Sequence, residues 1–330
     1  MVITISHTGY IKRTSTDLYR RQKRGGKGSR GMSAKEEDWV ENLFIGTTHD
    51  YILFFTDRGK AYWLKVYSIP EGGRAARGRP IVNLLELESG EKVKAMIPVA
   101  RFDDEHFIVM ATRRGQVVKN NLSLYGNPRK AGIKAINIAG DDELIEVKLT
   151  NGDNEILLAT RAGMAVRFHE SKVRPSGRFT AGVRGISLAP GDEVIAMVAA
   201  TADTAILTVC ERGFGKRTKL SEYRQTNRGG KGVINIRASE RNGPVVGMLV
   251  VLDEDQILAI TEGGATIRYN VSDLREMQRA TQGVKIIDVA PGDKLSSIAR
   301  IEREDEDNGE EYEEMESDDA GAGPEGEATE

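Results

Sequence analysis

A short apolar run closed by a glycine turn occurs six times along this chain, and that repeat constrains the fold more than any other feature. In order the runs read VITISHTG (2–9), ILFFTDRG (52–59), IVMATRRG (108–115), ILLATRAG (156–163), ILTVCERG (206–213) and ILAITEGG (257–264). The turn glycines Gly9, Gly59, Gly115, Gly163, Gly213 and Gly264 span 255 residues in five steps, a mean of 51. Apolar runs rich in β-branched residues and ending in a tight glycine turn read as hairpins, because glycine enters positive φ without a Cβ clash. The runs are continuous rather than alternating, which predicts strands covered on both faces.

Two further landmarks recur. A glycine followed by an alternating strand appears as GRPIVNL (78–84), GIKAINI (132–138), GVRGISL (182–188), GKGVINI (230–236) and GVKIIDV (283–289), with GKGSRGM (26–32) as the poorest copy. An acidic turn before an apolar run appears as SGEKV (89–93), GDDEL (140–144), PGDEV (190–194) and PGDKL (291–295). Together they make about four strands per repeat, the size of a propeller blade. One blade leaves both faces bare and must be flanked by neighbours. The expected architecture is therefore all-β, a disc of six four-stranded blades over residues 1–301, with an irregular β-solenoid as the competing reading. Short helical turns are expected at most around Lys35–Val40 and Ser272–Arg279.

Charge is divided unevenly. Residues 302–330 hold 15 of the 50 acidic residues and one of the 47 basic ones, a net of −14. The other 301 residues carry 46 basic and 35 acidic side chains, a net of +11. The acidic segment is poor in apolar residues, so it is expected to be a disordered tail. A cationic body with an acidic tail fits a polyanion binder carrying its own competitor, and equally a soluble body with a solvated tail. The single cysteine, Cys210, excludes an internal disulfide framework and lies in an apolar run, as a buried small hydrophobe does. No apolar run approaches the length of a membrane span. The reading is a cytoplasmic fragment, since Met1 leads directly into a strand already in progress.

The basic residues keep register with the repeat. Four residues after each turn glycine stand Arg13, Trp63, Lys119, Arg167, Arg217 and Arg268. The turns carry Arg58, Arg113 with Arg114, Arg161 and Arg212. Before the second landmark lie Arg74, Arg77 and Arg79, then Arg129 and Lys130, then Arg174 and Arg178, then Arg224 and Arg228. Cations recurring once per stacked blade are expected to form a curved band matched to a bent duplex, which carries one charge per ~1.7 Å of axis. Ordinary surface arginines that keep β-edges soluble are the alternative for any one of them. Few aromatics interleave with these cations, which argues against single-strand stacking. No helix offers itself to the major groove, so readout is expected to follow backbone and shape.

Catalytic chemistry is absent from the pattern. His7, His49, His106 and His169 are scattered without ligand spacing. The glycine-lysine pairs are followed by Gly28 and Gly232 rather than by the serine or threonine of a nucleotide-binding loop. Asp103-Asp104 and Asp141-Asp142 stand at turns. Neither a metal nor a nucleotide is expected to bind.

A glycine-rich basic element, Gln22-Lys23-Arg24-Gly25-Gly26-Lys27-Gly28, recurs as Gln225-Thr226-Asn227-Arg228-Gly229-Gly230-Lys231-Gly232. Paired glycines let backbone approach phosphates closely. The first element resembles the seven-residue box of the C-terminal domain of the DNA gyrase A family, departing from Q-R-R-G-G-K-G only at Lys23. Lysine keeps the charge there and loses the planar fork of arginine. The sixfold repeat and the acidic tail are similar too, so the resemblance covers essentially the whole chain. It implies a six-bladed β-pinwheel whose blades exchange an outer hairpin or strand and whose basic perimeter wraps duplex DNA. It implies, as partners, the catalytic part of gyrase A and gyrase B in an A2B2 assembly, and a monomeric isolated domain. Magnesium and ATP belong to that assembly, and the catalytic tyrosine lies upstream of this segment. The acidic tail regulates wrapping in some members. The related domain of topoisomerase IV, which wraps little, and a propeller scaffold for protein partners are the alternatives. By this reading the second box ranks below the first, and copy six is weakest, since Ala280-Thr281-Gln282 replaces the basics before Gly283.

Overall fold

The computed structural model describes residues 1–6, 8–15, 40–73, 76–262 and 266–301. Within them the chain builds six antiparallel sheets arranged as the blades of a propeller. Each blade is founded on one of the six glycine-closed hairpins: Val2–Ser6 with Tyr10–Thr14, Tyr51–Thr56 with Lys60–Lys65, Phe107–Thr112 with Gln116–Asn121, Glu155–Thr160 with Met164–His169, Ala205–Cys210 with Phe214–Lys219, and Gln256–Thr261 with Thr266–Asn270. The turn glycines adopt positive φ, 72° at Gly59 and 88° at Gly163, as the motif requires. Gly264 lies outside the described residues.

The inner edge of each blade is a further strand, which in blades two, three, four and six follows the acidic turn. Val93–Val99, Leu144–Thr150, Val194–Ala200, Val245–Val251 and Leu295–Ile301 pair with the first hairpin strand of blades two to six, and Val40–Ile45 does so in blade one. Successive inner strands from Val93–Val99 onward touch one another around the axis. In all six blades this pairing slips by one residue beside the hairpin turn, a β-bulge that sharpens the local twist.

The outer edge comes from the next copy of the repeat. Arg79–Pro80 pairs with blade one, Ile133–Lys134 with blade two, Val183–Arg184 with blade three, Val233–Ile234 with blade four and Val284–Lys285 with blade five. The landmark glycine therefore opens a two-residue strand that leaves its own copy and closes the preceding blade, a strand exchange of the pinwheel kind. Blade six shows three strands among the described residues. The poor first-copy landmark at 26–32 lies outside them, as do the box at 22–28, Arg74 and the acidic segment 302–330.

The core lies between blades rather than within them. Leu53 and Phe55 pack with Ile108 and Met110 of blade three, while Ile52 and Phe54 on the same strand pack with Ile3 and Ile5 of blade one. Alternate residues of one strand thus serve opposite seams, which is why the run is apolar throughout. The same division holds for Leu157 and Leu158 in blade four. A 3-10 turn follows the hairpin in blades two to six, at Val66–Ser68, Leu122–Tyr125, Glu170–Lys172, Leu220–Glu222 and Val271–Asp273. The last replaces the looser helical turn expected over Ser272–Arg279.

Candidate nucleic-acid interface

The repeat-registered cations fall into three places with different chemistry. The first is the seam. Arg13 donates through Nε to Ile69 O at 2.8 Å and pairs with Glu71. Trp63 donates to Tyr125 O at 2.8 Å. Arg167 bonds Glu155 at 3.0 Å and donates through Nη1 to Leu220 O and Tyr223 O, each at 2.9 Å. Lys119 is buried against Glu170, and Arg217, 7% exposed, reaches Asp253. Ile69, Tyr125 and Tyr223 each stand ten residues after their turn glycines Gly59, Gly115 and Gly213, so one acceptor position is used three times.

In blades one to five this column ties the end of the hairpin to the following copy. The structure places Arg13, Lys119, Arg167 and Arg217, expected in the curved cationic band, at the seams with intramolecular partners rather than among the exposed cations of the rim. A strand inside the blade offers these cations little open water, so they turn to carbonyls of the next copy and to carboxylates of their own or the next copy. Arg268, at the same position in blade six, is exposed.

The second place is the hairpin turns. Arg58 bonds Glu88 at 2.9 Å, Arg113 donates to Asp141 O, Arg114 pairs with Asp141, and Arg161 lies 3.8 Å from both Glu193 and Glu211. The acidic turn of the third landmark meets the basic hairpin turn of its own copy. Lys60 and then Arg58 hold the Glu88 carboxyl below its usual range, and Arg114 does the same for Asp141. These pairs are open to water, worth little on their own, and exchangeable for phosphate oxygens. Arg212 is exposed beside them.

The third place is the outer rim. Arg79, Arg129, Lys130, Arg174, Arg224 and Lys231 are exposed there, on the exchanged strands and the loops that lead into them. Arg178 and Arg228 are partly covered on the same loops. Arg77 stacks over Tyr10, 3.8 Å from the ring centroid. Arg228 donates to Lys172 O and Arg184 O, and Arg279 donates to Glu222 O and Ile234 O, so each fastens its loop to the neighbouring outer strand. Arg279 therefore fills in copy six the place Arg228 holds in copy five, and that copy is less depleted than Ala280-Thr281-Gln282 suggested.

Sequence reasoning missed the most regular rim cations. Lys134, Arg184 and Lys285 occupy the second position of their exchanged strands, with Pro80 and Ile234 at the same place elsewhere. All three are exposed. The signal was available, because each stands two residues after its landmark glycine. Among the described residues Arg79, Arg129, Lys130, Lys134, Arg174, Arg178, Arg184, Arg224 and Lys231 form no ion pair with a carboxylate, and Lys285 pairs only with Asp288. The rim is thus the part of the band whose charge is left over for a polyanion. No group of three or more potential metal ligands occurs among the described residues, and none of their helices is long and apolar enough to cross a membrane.

The family model described as "DNA gyrase C-terminal domain, beta-propeller" matches six segments in succession, 1–46, 50–100, 106–151, 154–201, 205–252 and 255–302. The chain belongs to this DNA gyrase A C-terminal domain family. The six matched segments follow the six hairpin-led copies. The DNA gyrase A protein of Clostridium acetobutylicum is 47% identical over 315 residues, covering 96% of this chain and 38% of that protein. Its counterpart in Halalkalibacterium halodurans is 51% identical over 306 residues, covering 93% and 37%. The chain thus spans a little over a third of the length of these relatives. A solved C-terminal domain of DNA topoisomerase IV superposes with a TM-score of 0.81 at 29% identity, covering 91% of this chain and 93% of that one. A solved gyrase A C-terminal domain superposes at 0.70 and 24% identity, over 91% and 99%, and shows the shared fold. The two gyrase A sequences are markedly more similar to this chain than the topoisomerase IV domain is, although the latter superposes better than the gyrase domain.

Proposed function

We propose that this domain binds duplex DNA along its outer rim, bends it and wraps it, so that a neighbouring DNA segment is presented to the catalytic part of a gyrase as a positive crossover. The observation that carries this reading is the rim itself. Unpaired cations recur on exchanged strands around the perimeter, where they meet successive phosphates of one curved duplex. Bending energy is offset by the added contacts. The likeness to gyrase A sequences and the intact box at Gln22–Gly28 support wrapping over simple binding. The domain acts without a metal or nucleotide of its own and without cleaving DNA. Magnesium, ATP and the cleaving tyrosine belong to the A2B2 assembly with the rest of gyrase A and with gyrase B, in the cytoplasm. The isolated domain is a monomer, folded over residues 1–301, with 302–330 as an acidic competitor for the rim.

The superposition on a topoisomerase IV domain favours a second reading, in which the same rim binds DNA with little wrapping. One experiment separates them. Nicked plasmid is bound by increasing amounts of protein, sealed by ligase, and resolved for linking number. A positive shift growing with protein supports wrapping. Binding without a shift supports the topoisomerase IV-like reading, and no binding overturns both.

A further inference from the structure

Phe179 is the one residue other than glycine with a positive φ among the described residues, at 62°. That region is strained for a bulky side chain and persists only where the surroundings hold it. Here two hydrogen bonds bracket the residue. Phe179 N–H donates to Ala135 O, and Asn137 N–H donates to Thr180 O, each at 3.0 Å. Both partners lie just beyond the outer strand of blade two.

Copy five supplies an internal comparison. Aligned on the landmark glycines Gly182 and Gly232, Phe179 corresponds to Gly229 of the second box-like element. Gly229 has φ 82°, Gly229 N–H donates to Gly185 O, and Ser187 N–H donates to Gly230 O, the same two bonds one blade further on. This backbone suits glycine, and copy four carries phenylalanine in its place. The ring does not offset the strain by entering the core, because Phe179 is 48% exposed.

What surrounds the ring is cationic. Lys134 Nζ lies 4.5 Å from its centroid. A shallow depression on the rim is lined by Arg129, Gly132, Ile133, Lys134, Arg178 and Phe179. None of the three cations has a carboxylate partner among the described residues. A half-exposed apolar ring framed by cations without carboxylate partners matches a duplex, whose phosphates flank apolar deoxyribose faces and base edges. An acidic protein surface matches the cations and leaves the ring without a reason.

We propose that Phe179 is a DNA-contact residue, its ring pressed into the duplex groove that faces the rim while Arg129, Lys134 and Arg178 hold the phosphates on either side. The contact is apolar and tolerant of sequence, and it adds to a band otherwise made of charge. This inference rests on the DNA-binding function proposed above.

The test is a titration of labelled linear duplex with wild type, Phe179→Gly and Lys134→Ala across a salt series. Wild type reports on the DNA-binding reading alone, and no salt-sensitive binding by it overturns that reading and this one together. With wild type bound, Phe179→Gly is expected to weaken affinity about five-fold at every salt concentration with the slope of log K against log salt unchanged. Lys134→Ala is expected to reduce that slope by about one. Wild-type affinity in Phe179→Gly, or a changed slope, overturns the role of the ring and leaves the rim intact. Because glycine suits this backbone, the variant is expected to unfold at the same urea concentration as wild type or above it, which separates loss of the ring from loss of the fold. A second variant, Phe179→Trp, reads the contact directly: duplex is expected to quench its added emission relative to wild type, and unquenched emission at saturating DNA overturns the proposal.

Discussion

Lys119 Nζ lies 2.7 Å from Glu170 Oε2 across the seam between blades three and four, with side-chain exposures of 4% and 0%. Glu170 also accepts from Thr150 Oγ1 and from the Asn154 N–H, each at 2.8 Å, so the buried carboxylate is fully partnered. Removing one member of such a pair leaves an uncompensated buried charge, at a cost of about 3–5 kcal/mol. Lys119→Ala is expected to lose that much unfolding free energy in urea. Measured at a temperature where the variant remains folded, its DNA affinity is expected to stay within about two-fold of wild type. A stable Lys119→Ala with sharply weakened DNA binding would return Lys119 to the rim.

The same position shows what the sequence could and could not convey. Recurrence of cations four residues after each turn glycine is visible in the sequence, but recurrence alone does not distinguish a seam from a surface. The uninterrupted apolar runs implied first hairpin strands covered on both faces, whereas Arg167 and Arg217 stand on the second strands, Met164–His169 and Phe214–Lys219, whose mixed composition carries no such signal. The hairpins and inner strands were legible because each is five to seven residues of consistent pattern ending in a glycine or acidic turn. The exchanged strands were not, because two residues such as Val183-Arg184 carry no period and nothing local names the blade they join. The landmark glycines marked where Lys134, Arg184 and Lys285 stand, two residues on, but not that these strands face outward on a neighbouring blade. The box at Gln22–Gly28 and the acidic segment 302–330 fall outside the described residues, and their roles rest on sequence alone.

The rim cations are expected to show the opposite signature to Lys119. Lys134→Ala, Arg184→Ala and Lys285→Ala combined are expected to reduce the slope of log K against log salt by about 0.9 for each phosphate no longer neutralised. Their exposure predicts changes in unfolding free energy within about 0.5 kcal/mol per site. A salt series together with urea denaturation checks both halves. An unchanged slope would remove the exchanged strands from the interface.

Turn glycines are not equivalent, and their surroundings rank them. At Gly213, with φ 77°, an added Cβ would press on the Ile287 carbonyl oxygen and on Val289 Cγ2 of the neighbouring copy. Gly191, with φ 78° in an acidic turn, meets nothing within 4 Å. Gly191→Ala carries only the left-handed penalty, about 1 kcal/mol. Gly213→Ala adds a clash with backbone that has no room to move, and the expected loss is about 3 kcal/mol. Equal melting temperatures for the two variants would show that Ile287 yields freely and that the exchanged segment is loosely held.

Lys216 gives the fold a pH dependence whose sign can be worked out. Its side chain is buried, and Nζ donates to Gln278 O at 3.0 Å and to Arg279 O. Burial, aided by the nearby Arg279 charge, pushes its pKa down to about 7 from the 10.5 of a free lysine. Between those values the unfolded chain holds a proton that the folded chain has released, so stability rises with pH across that window. As pH falls toward 7 and below, the folded state must accept a buried charge, and the gain disappears. Burial pushes the neighbouring Cys210 thiol up to about 12 from 9.0, so above about pH 9 the unfolded chain releases a thiol proton that the folded chain keeps, which opposes the lysine and sets pH 9 as the upper end of the comparison. Urea unfolding at pH 6.5 and pH 9 is expected to show a rise on the order of a few kcal/mol in wild type. Lys216→Met is expected to flatten the rise while losing stability at pH 9, where the two carbonyls it served stay buried without a donor. An identical slope in the variant would place the titration elsewhere and show that Lys216 keeps an ordinary lysine pKa in the folded domain.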